Sequence, residues 1–165
     1  MTRILGIDLG ERRIGLALAD GDGSPARPMQ TIRRGRTLAD DATVLAPIVA
    51  ANQVGELVVG LPLEASGDHG PQAQLTETWE KDIAAALHLP LAMRDERLTS
   101  HLAEQRLGPM KRGRSGGPPT RAQRQAYRAR VDREAAAIIL QDELDARPAV
   151  QYGSPARSQR TETSP

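Results

Sequence analysis

The 165-residue chain contains no cysteine, which excludes disulfides, thiolate zinc sites and a cysteine nucleophile. It also has no phenylalanine, one tryptophan and two tyrosines. The core must therefore be Leu, Val, Ile and Ala, and the scarcity argues against a face of stacked aromatics that reads single-stranded RNA. The histidines His69, His88 and His101 are too scattered to suggest a zinc cluster. No apolar run reaches membrane-spanning length, and the N-terminus lacks a signal-peptide pattern. The expectation is a soluble, cytoplasmic protein, in one domain long enough to bury a core.

A large net charge is missing as well, at +1 overall, but the distribution is uneven. Residues 108–134 hold eight basic and two acidic residues, whereas residues 1–107 hold eleven basic and fifteen acidic. One concentrated basic segment on a near-neutral chain points to a polyanion held in one place.

What is present begins with a hairpin. Two apolar runs, about 3–9 and 13–19, flank a turn at Gly10 to Arg12. Residues 20–25 form a turn cluster, and Met29 to Arg33 suits a third strand. Thr37 caps a helix of about fifteen residues, with Leu38, Ala42, Leu45 and Val49 on one face. A short buried strand at 56–60 runs into a loop ending at Pro71. The next helix, about 72–88, carries Leu75, Trp79, Ile83 and Leu87 at helical spacing, with Trp79 read as core. Residues 90–95 form a fifth strand, and Leu98 to Leu107 a short helix with Thr99 or Ser100 near its cap. Residues 108–120 are too rich in Gly, Pro and basic side chains for regular structure. A last helix ends near Ala146. The expected organisation is one domain over 1–147, with a flexible basic loop at about 108–121 and a disordered tail over 148–165. Three meandering strands followed by alternating helices and strands make a mixed five-stranded α/β sheet flanked by helices.

Asp8 is the misfit of the first strand, set among Ile4, Leu5, Ile7 and Leu9. An isolated carboxylate there costs several kcal/mol to bury unless a cation or strong donors meet it. It either caps a turn or belongs to a metal or phosphate site. Two partners are available. One is Asp95 or Glu96 at the end of the fifth strand, where neighbouring side chains point to opposite faces; a plain acidic turn before a helix is the alternative. The other is Asp132, on a helix face shared with Ala135, Ala136 and Ile139, unless it simply lies in that helix's first turn. Three such carboxylates would suit Mg²⁺ or Mn²⁺. Two ions of that kind activate a water and stabilise the leaving oxygen in phosphodiester hydrolysis, while the basic loop holds the phosphate backbone.

The chain also resembles a known family, through four blocks in order. These are Gly6-Ile7-Asp8-Leu9-Gly10 with Arg12-Arg13-Ile14-Gly15 and Ala19-Asp20, then Val58-Val59-Gly60-Leu61-Pro62-Leu63 with Gly67 and Gly70-Pro71. Asp95-Glu96-Arg97-Leu98-Thr99 with Ala103-Glu104 follows, and Val131-Asp132 with Ala135-Ala136 and Ile139-Leu140-Gln141 closes the set. They resemble the YqgF-type family of ribonuclease H-like nucleases, described as Holliday junction resolvases and as nucleases maturing the small-subunit ribosomal RNA precursor. The resemblance implies a ribonuclease H-like fold with Asp8, Glu96 and Asp132 as acidic metal ligands and Asp95 as the close alternative to Glu96. It further implies that Arg97 and Thr99 support the site or touch the substrate backbone, and that Arg13 and the Gly60-Leu61-Pro62 loop line the cleft. Lys111, Arg112, Arg114 and Arg130 complete the expected phosphate contacts. The chain departs from the pattern at Arg130, where a lysine is expected, and in the Gly-, Pro- and Arg-rich segment 108–124.

The leading expectation is thus a metal-dependent nuclease on structured nucleic acid, ribosomal RNA precursor first, working alone or with ribosomal particles. A resolvase of branched DNA is the rival within the same chemistry and would act as a two-fold homodimer rather than a monomer. An ATP-dependent phosphotransferase shares the first hairpin but needs two such domains. A non-catalytic ribosome-assembly factor would use the basic loop alone.

Overall fold

The computed structural model describes residues 2–148. The expected tail after Pro148 lies outside the described residues. Strands β1 (Arg3–Leu9), β2 (Arg13–Ala19) and β3 (Arg27–Arg33) form the meander. Then come α1 (Leu38–Ala51), β4 (Val54–Leu61), α2 (Pro71–Leu87), β5 (Leu91–Asp95), α3 (Thr99–Leu107) and α4 (Arg121–Ala146). The sheet order is β3-β2-β1-β4-β5, with β1–β2 and β2–β3 antiparallel and β1–β4 and β4–β5 parallel. This is the mixed five-stranded arrangement expected from the sequence.

The alternation of β1 divides the core. Leu5, Ile7 and Leu9 face α1 and α2, where Leu45, Trp79 and Ile83 close over them. Ile4 faces the other way, into a cluster with Val58, Ala136, Ile139 and Leu140 of β4 and α4. Helix α4 lies across that second face, packed on β1, β2 and β3 and reaching β4 and β5, with α3 alongside. Its small residues Ala135, Ala136 and Ala137 let the helix sit close to the strands. The closest seat is at Gly15, where a Cβ would stand 2.1 Å from the Asp132 carbonyl oxygen.

Two local expectations change. Leu75 is 68% exposed, and the buried face of α2 is Ala73, Thr76, Trp79, Glu80 and Ile83. A series stepping by four residues drifts about 40° per step around a helix, so the end of the Leu75 series rotates out of the core. Helix α3 has Leu98 at its N-cap, in the left-handed region at φ 63°, with no side-chain cap, so neither Thr99 nor Ser100 caps it. By contrast Thr37 does cap α1, in a reciprocal capping box with Asp40. Trp79 is core, and its indole N–H donates to the buried Asp41 carboxylate at 2.9 Å.

Glu80 is the unusual member of this layer. It is fully buried, and among the described residues neither its carboxylate oxygens nor the Thr76 hydroxyl one turn earlier has a hydrogen-bond partner. Burial, with Glu77 nearby, pushes the Glu80 carboxyl up to about 8. A carboxyl raised in the folded state contributes stability fully below its unfolded value, and that contribution is lost as pH rises through about 8. The melting temperature should therefore fall from about pH 5 to about pH 9, and Glu80→Gln should flatten the fall. On the order of 3 kcal/mol is at stake. Parallel melting curves for parent and variant across that range would contradict the assignment.

Candidate active site

The site forms at the carboxyl ends of β1 and β5, beside the middle of α4. Asp8 is the next-to-last residue of β1 and pairs in register with Gly15 of β2. Because Gly15 has no side chain, the backbone of Asp132 rests directly above that pair. Asp132 lies 11 residues into α4, about three turns in, so it is no first-turn acid.

The chain leaves β5 at Asp95, and the Glu96 N–H donates to the Leu61 carbonyl at 3.1 Å, folding Glu96 back over the end of β4. Its carboxylate occupies the space above Gly60, where a Cβ would stand 2.3 Å from Glu96 Oε2. The turn is closed by the Thr99 N–H, which donates to the Glu96 carbonyl at 3.0 Å.

Strand parity separates the two neighbouring acids. Glu96 meets Asp8, close enough that each carboxyl shifts the ionisation of the other. Asp95 is exposed and occupied by Arg97, whose Nε donates to Asp95 Oδ2 at 2.7 Å. That bond holds the Asp95 carboxyl below its ordinary value. Burial is the main cause pushing Asp8 and Glu96 above theirs, Asp132 adding to the effect on Asp8 and Asp8 and Glu80 to that on Glu96. Neither Asp8 nor Glu96 has a basic partner among the described residues.

Asp132 stands apart from that pair. Its carboxylate accepts from Arg13 Nε at 2.5 Å, and among the described residues no three acids converge into a ready cation cage. The sequence alone gave no sign of the Arg13–Asp132 pair, because the partners are 119 residues apart. The small residue at position 15, on an otherwise apolar strand, was the available signal for close helix approach.

The remaining predicted positions are spread around this centre. Arg97 also reaches the Ala65 carbonyl at 3.3 Å, tying the β5–α3 turn to the β4–α2 loop. Thr99 is buried and faces no open surface. Lys111, Arg112, Arg114 and Arg130 are exposed. The loop carrying the first three is pinned at its base, where the Tyr127 hydroxyl donates to the Gly108 carbonyl at 2.9 Å. Among the described residues no helix is long and apolar enough to cross a membrane.

The family model described as "RuvX: Holliday junction resolvase" matches residues 2–146. A protein of Acaryochloris marina named "Putative pre-16S rRNA nuclease" is 45% identical over 155 residues, covering 90% of this chain and 96% of its own. One of Chloroflexus aggregans with the same name is 44% identical, covering 87% of this chain and 94% of its own. Among solved structures, Thermus thermophilus RuvC in complex with a Holliday junction substrate covers 88% of this chain and 95% of its own, at 11% identity and a TM-score of 0.49.

Proposed function

This chain belongs to the RuvX family, described as Holliday junction resolvases, and we propose that it is a cytoplasmic, metal-dependent nuclease that matures the end of the small-subunit ribosomal RNA precursor. The observation that carries this reading is the Asp8–Glu96 pair, two half-buried carboxyls that act on each other with no basic partner among the described residues. Burial and mutual repulsion disfavour the doubly ionised pair unless positive charge is brought to it. An all-oxygen donor set of this kind fits Mg²⁺ or Mn²⁺ rather than a softer metal. Asp8 and Glu96 would hold the ion, and Asp132 would join them only on release from Arg13. When bound, the ion supplies a nucleophilic water and stabilises the leaving oxygen of a phosphodiester.

The chain's own residues prepare that chemistry. Gly60 and the 96–99 turn hold the Glu96 carboxylate over the sheet, against Asp8. Arg13 neutralises Asp132 and offers a guanidinium at the cleft edge that can exchange this carboxylate for a substrate phosphate. Arg97 stiffens the turn through Asp95 and Ala65. The exposed Lys111, Arg112, Arg114 and Arg130 supply charge for the backbone of a structured RNA. The names of the relatives at 44–45% identity favour the ribosomal precursor. The family's description keeps four-way DNA as the second reading, which requires a two-fold dimer to cut two strands.

The test is cleavage of a ribosomal RNA precursor end and of a four-way DNA junction, with Mg²⁺, Mn²⁺ or EDTA. Metal-dependent cutting of the precursor, with the junction left whole, is expected. Cutting of the junction alone by a dimer would replace the substrate. No cutting of either with any metal would remove the nuclease reading.

A further inference from the structure

An open groove of about 820 Å³ runs between the β2–β3 edge and the first half of α4. Its charged lining is Glu11, Arg12, Arg13, Arg33, Arg121 and Arg128. Arg13 and Arg33 face each other in register on β2 and β3. Arg121 and Arg128, with Gln125 between them, follow one stripe of α4 two turns long. The wall is fixed, because the Thr31 hydroxyl donates to the Ala129 carbonyl at 2.6 Å and fastens β3 to α4.

Four of the five arginines are uncommitted. Arg12, Arg33, Arg121 and Arg128 are exposed and make no ion pair or side-chain hydrogen bond among the described residues. Their placement also works against the helix. α4 begins with Arg121 and has no acidic residue in its first turn. Cations there oppose the helix dipole, and Arg124 repels Arg128 one turn on. An anion held there would relieve this repulsion.

The groove leads to the carboxylates. Arg13 and Arg128 also line an adjoining cavity of about 140 Å³ whose other walls include Tyr127, Val131 and Asp132. Arg13, bonded to Asp132, is thus the junction between groove and site. The groove's own lining contains no aromatic side chain, and Ile32 is its one large apolar residue. It is therefore unsuited both to stacking bases and to an apolar small molecule.

We infer that the groove binds the sugar–phosphate backbone of the nucleic acid on one side of the scissile bond, independently of base sequence. This rests on the nuclease reading and adds to it a second strand contact, on the β2–β3 side of α4, separate from the basic loop at 108–120. Charge is the recognising property, so affinity through the groove depends on salt.

The experiment measures binding of a labelled RNA hairpin and a labelled four-way DNA junction in EDTA, across a salt series. The proteins are the parent, Arg33→Glu/Arg121→Glu/Arg128→Glu, the same three positions changed to Lys, and Lys81→Glu on α2 as a charge control. The Glu variant should bind about ten- to a hundredfold more weakly at ~0.1 M salt, with a salt slope shallower by about two to three units. The Lys variant should regain most of the affinity, and Lys81→Glu should bind as the parent does. An unchanged affinity and slope in the Glu variant would overturn the inference. So would a Lys variant as weak as the Glu variant while melting with the parent. EDTA removes cleavage from the readout, so a failed groove leaves the nuclease reading standing. Absence of metal-dependent cleavage by the parent would remove that reading without touching the binding result.

Discussion

Asp8→Asn should reduce metal-dependent cleavage by about a thousandfold or more, roughly 4 kcal/mol of transition-state stabilisation. Nucleic-acid affinity should change little. Asn keeps the shape of the side chain but removes a charge with which, in the proposed site, Asp8 and Glu96 would hold the cation. The basic surface is untouched, since Arg13 is bonded to Asp132 and the loop arginines lie elsewhere. Stability gives an independent check. Burial, with Asp132 nearby, raises the Asp8 carboxyl more than the Glu96 side chain lowers it, so the ionised group destabilises the fold above its unfolded value near pH 4. The sign is clear: Asn removes a penalty that grows as pH rises, so the variant should melt no lower than the parent at neutral pH. Cleavage equal to that of the parent would dismiss Asp8 from the site. Lost cleavage together with a lower melting temperature would point to misfolding instead.

Gly15→Ala should cost about 3 kcal/mol or more, near the upper end for overpacking. The new Cβ would stand 2.1 Å from the Asp132 oxygen, 2.3 Å from its carbonyl carbon and 2.9 Å from the Arg133 nitrogen. All three are backbone atoms of α4, so no rotamer change relieves them. Either β2 bends or the helix lifts from the sheet, and lifting carries Asp132 away from Asp8. The melting temperature should fall by roughly 10 °C, and cleavage should fall with it. Gly117→Ala is the matching control, because a Cβ there meets nothing within 4 Å. Equal melting of parent and Gly15→Ala would show that α4 can move off β2 without cost.

These two positions mark different degrees of legibility. Asp8 was visible as a polar residue in an apolar run, because the cost of burying a charge is local and needs no knowledge of the fold. Gly15 was visible only as a motif residue. Its reason for being small is a helix more than a hundred residues later in the chain. Leu75 illustrates the opposite failure. Helical spacing identified α2 correctly, but its phase is set by what the helix packs against, and the packing turned Leu75 to solvent and Glu80 inward.

The sequence by itself determined the succession of elements, the Thr37 cap of α1 and the concentration of positive charge after residue 108. Each depends on interactions among near neighbours: alternation, helical period, turn chemistry and local charge. Only the tertiary structure decided that Glu96 rather than Asp95 meets Asp8, since one residue of strand parity reverses the face of a side chain. Only it brought Arg13 to Asp132, and drew Arg12, Arg33, Arg121 and Arg128 from three segments into one groove. Those meetings depend on how strands pair and how a long helix crosses them. That geometry is settled by the whole core at once and by no local stretch of the chain.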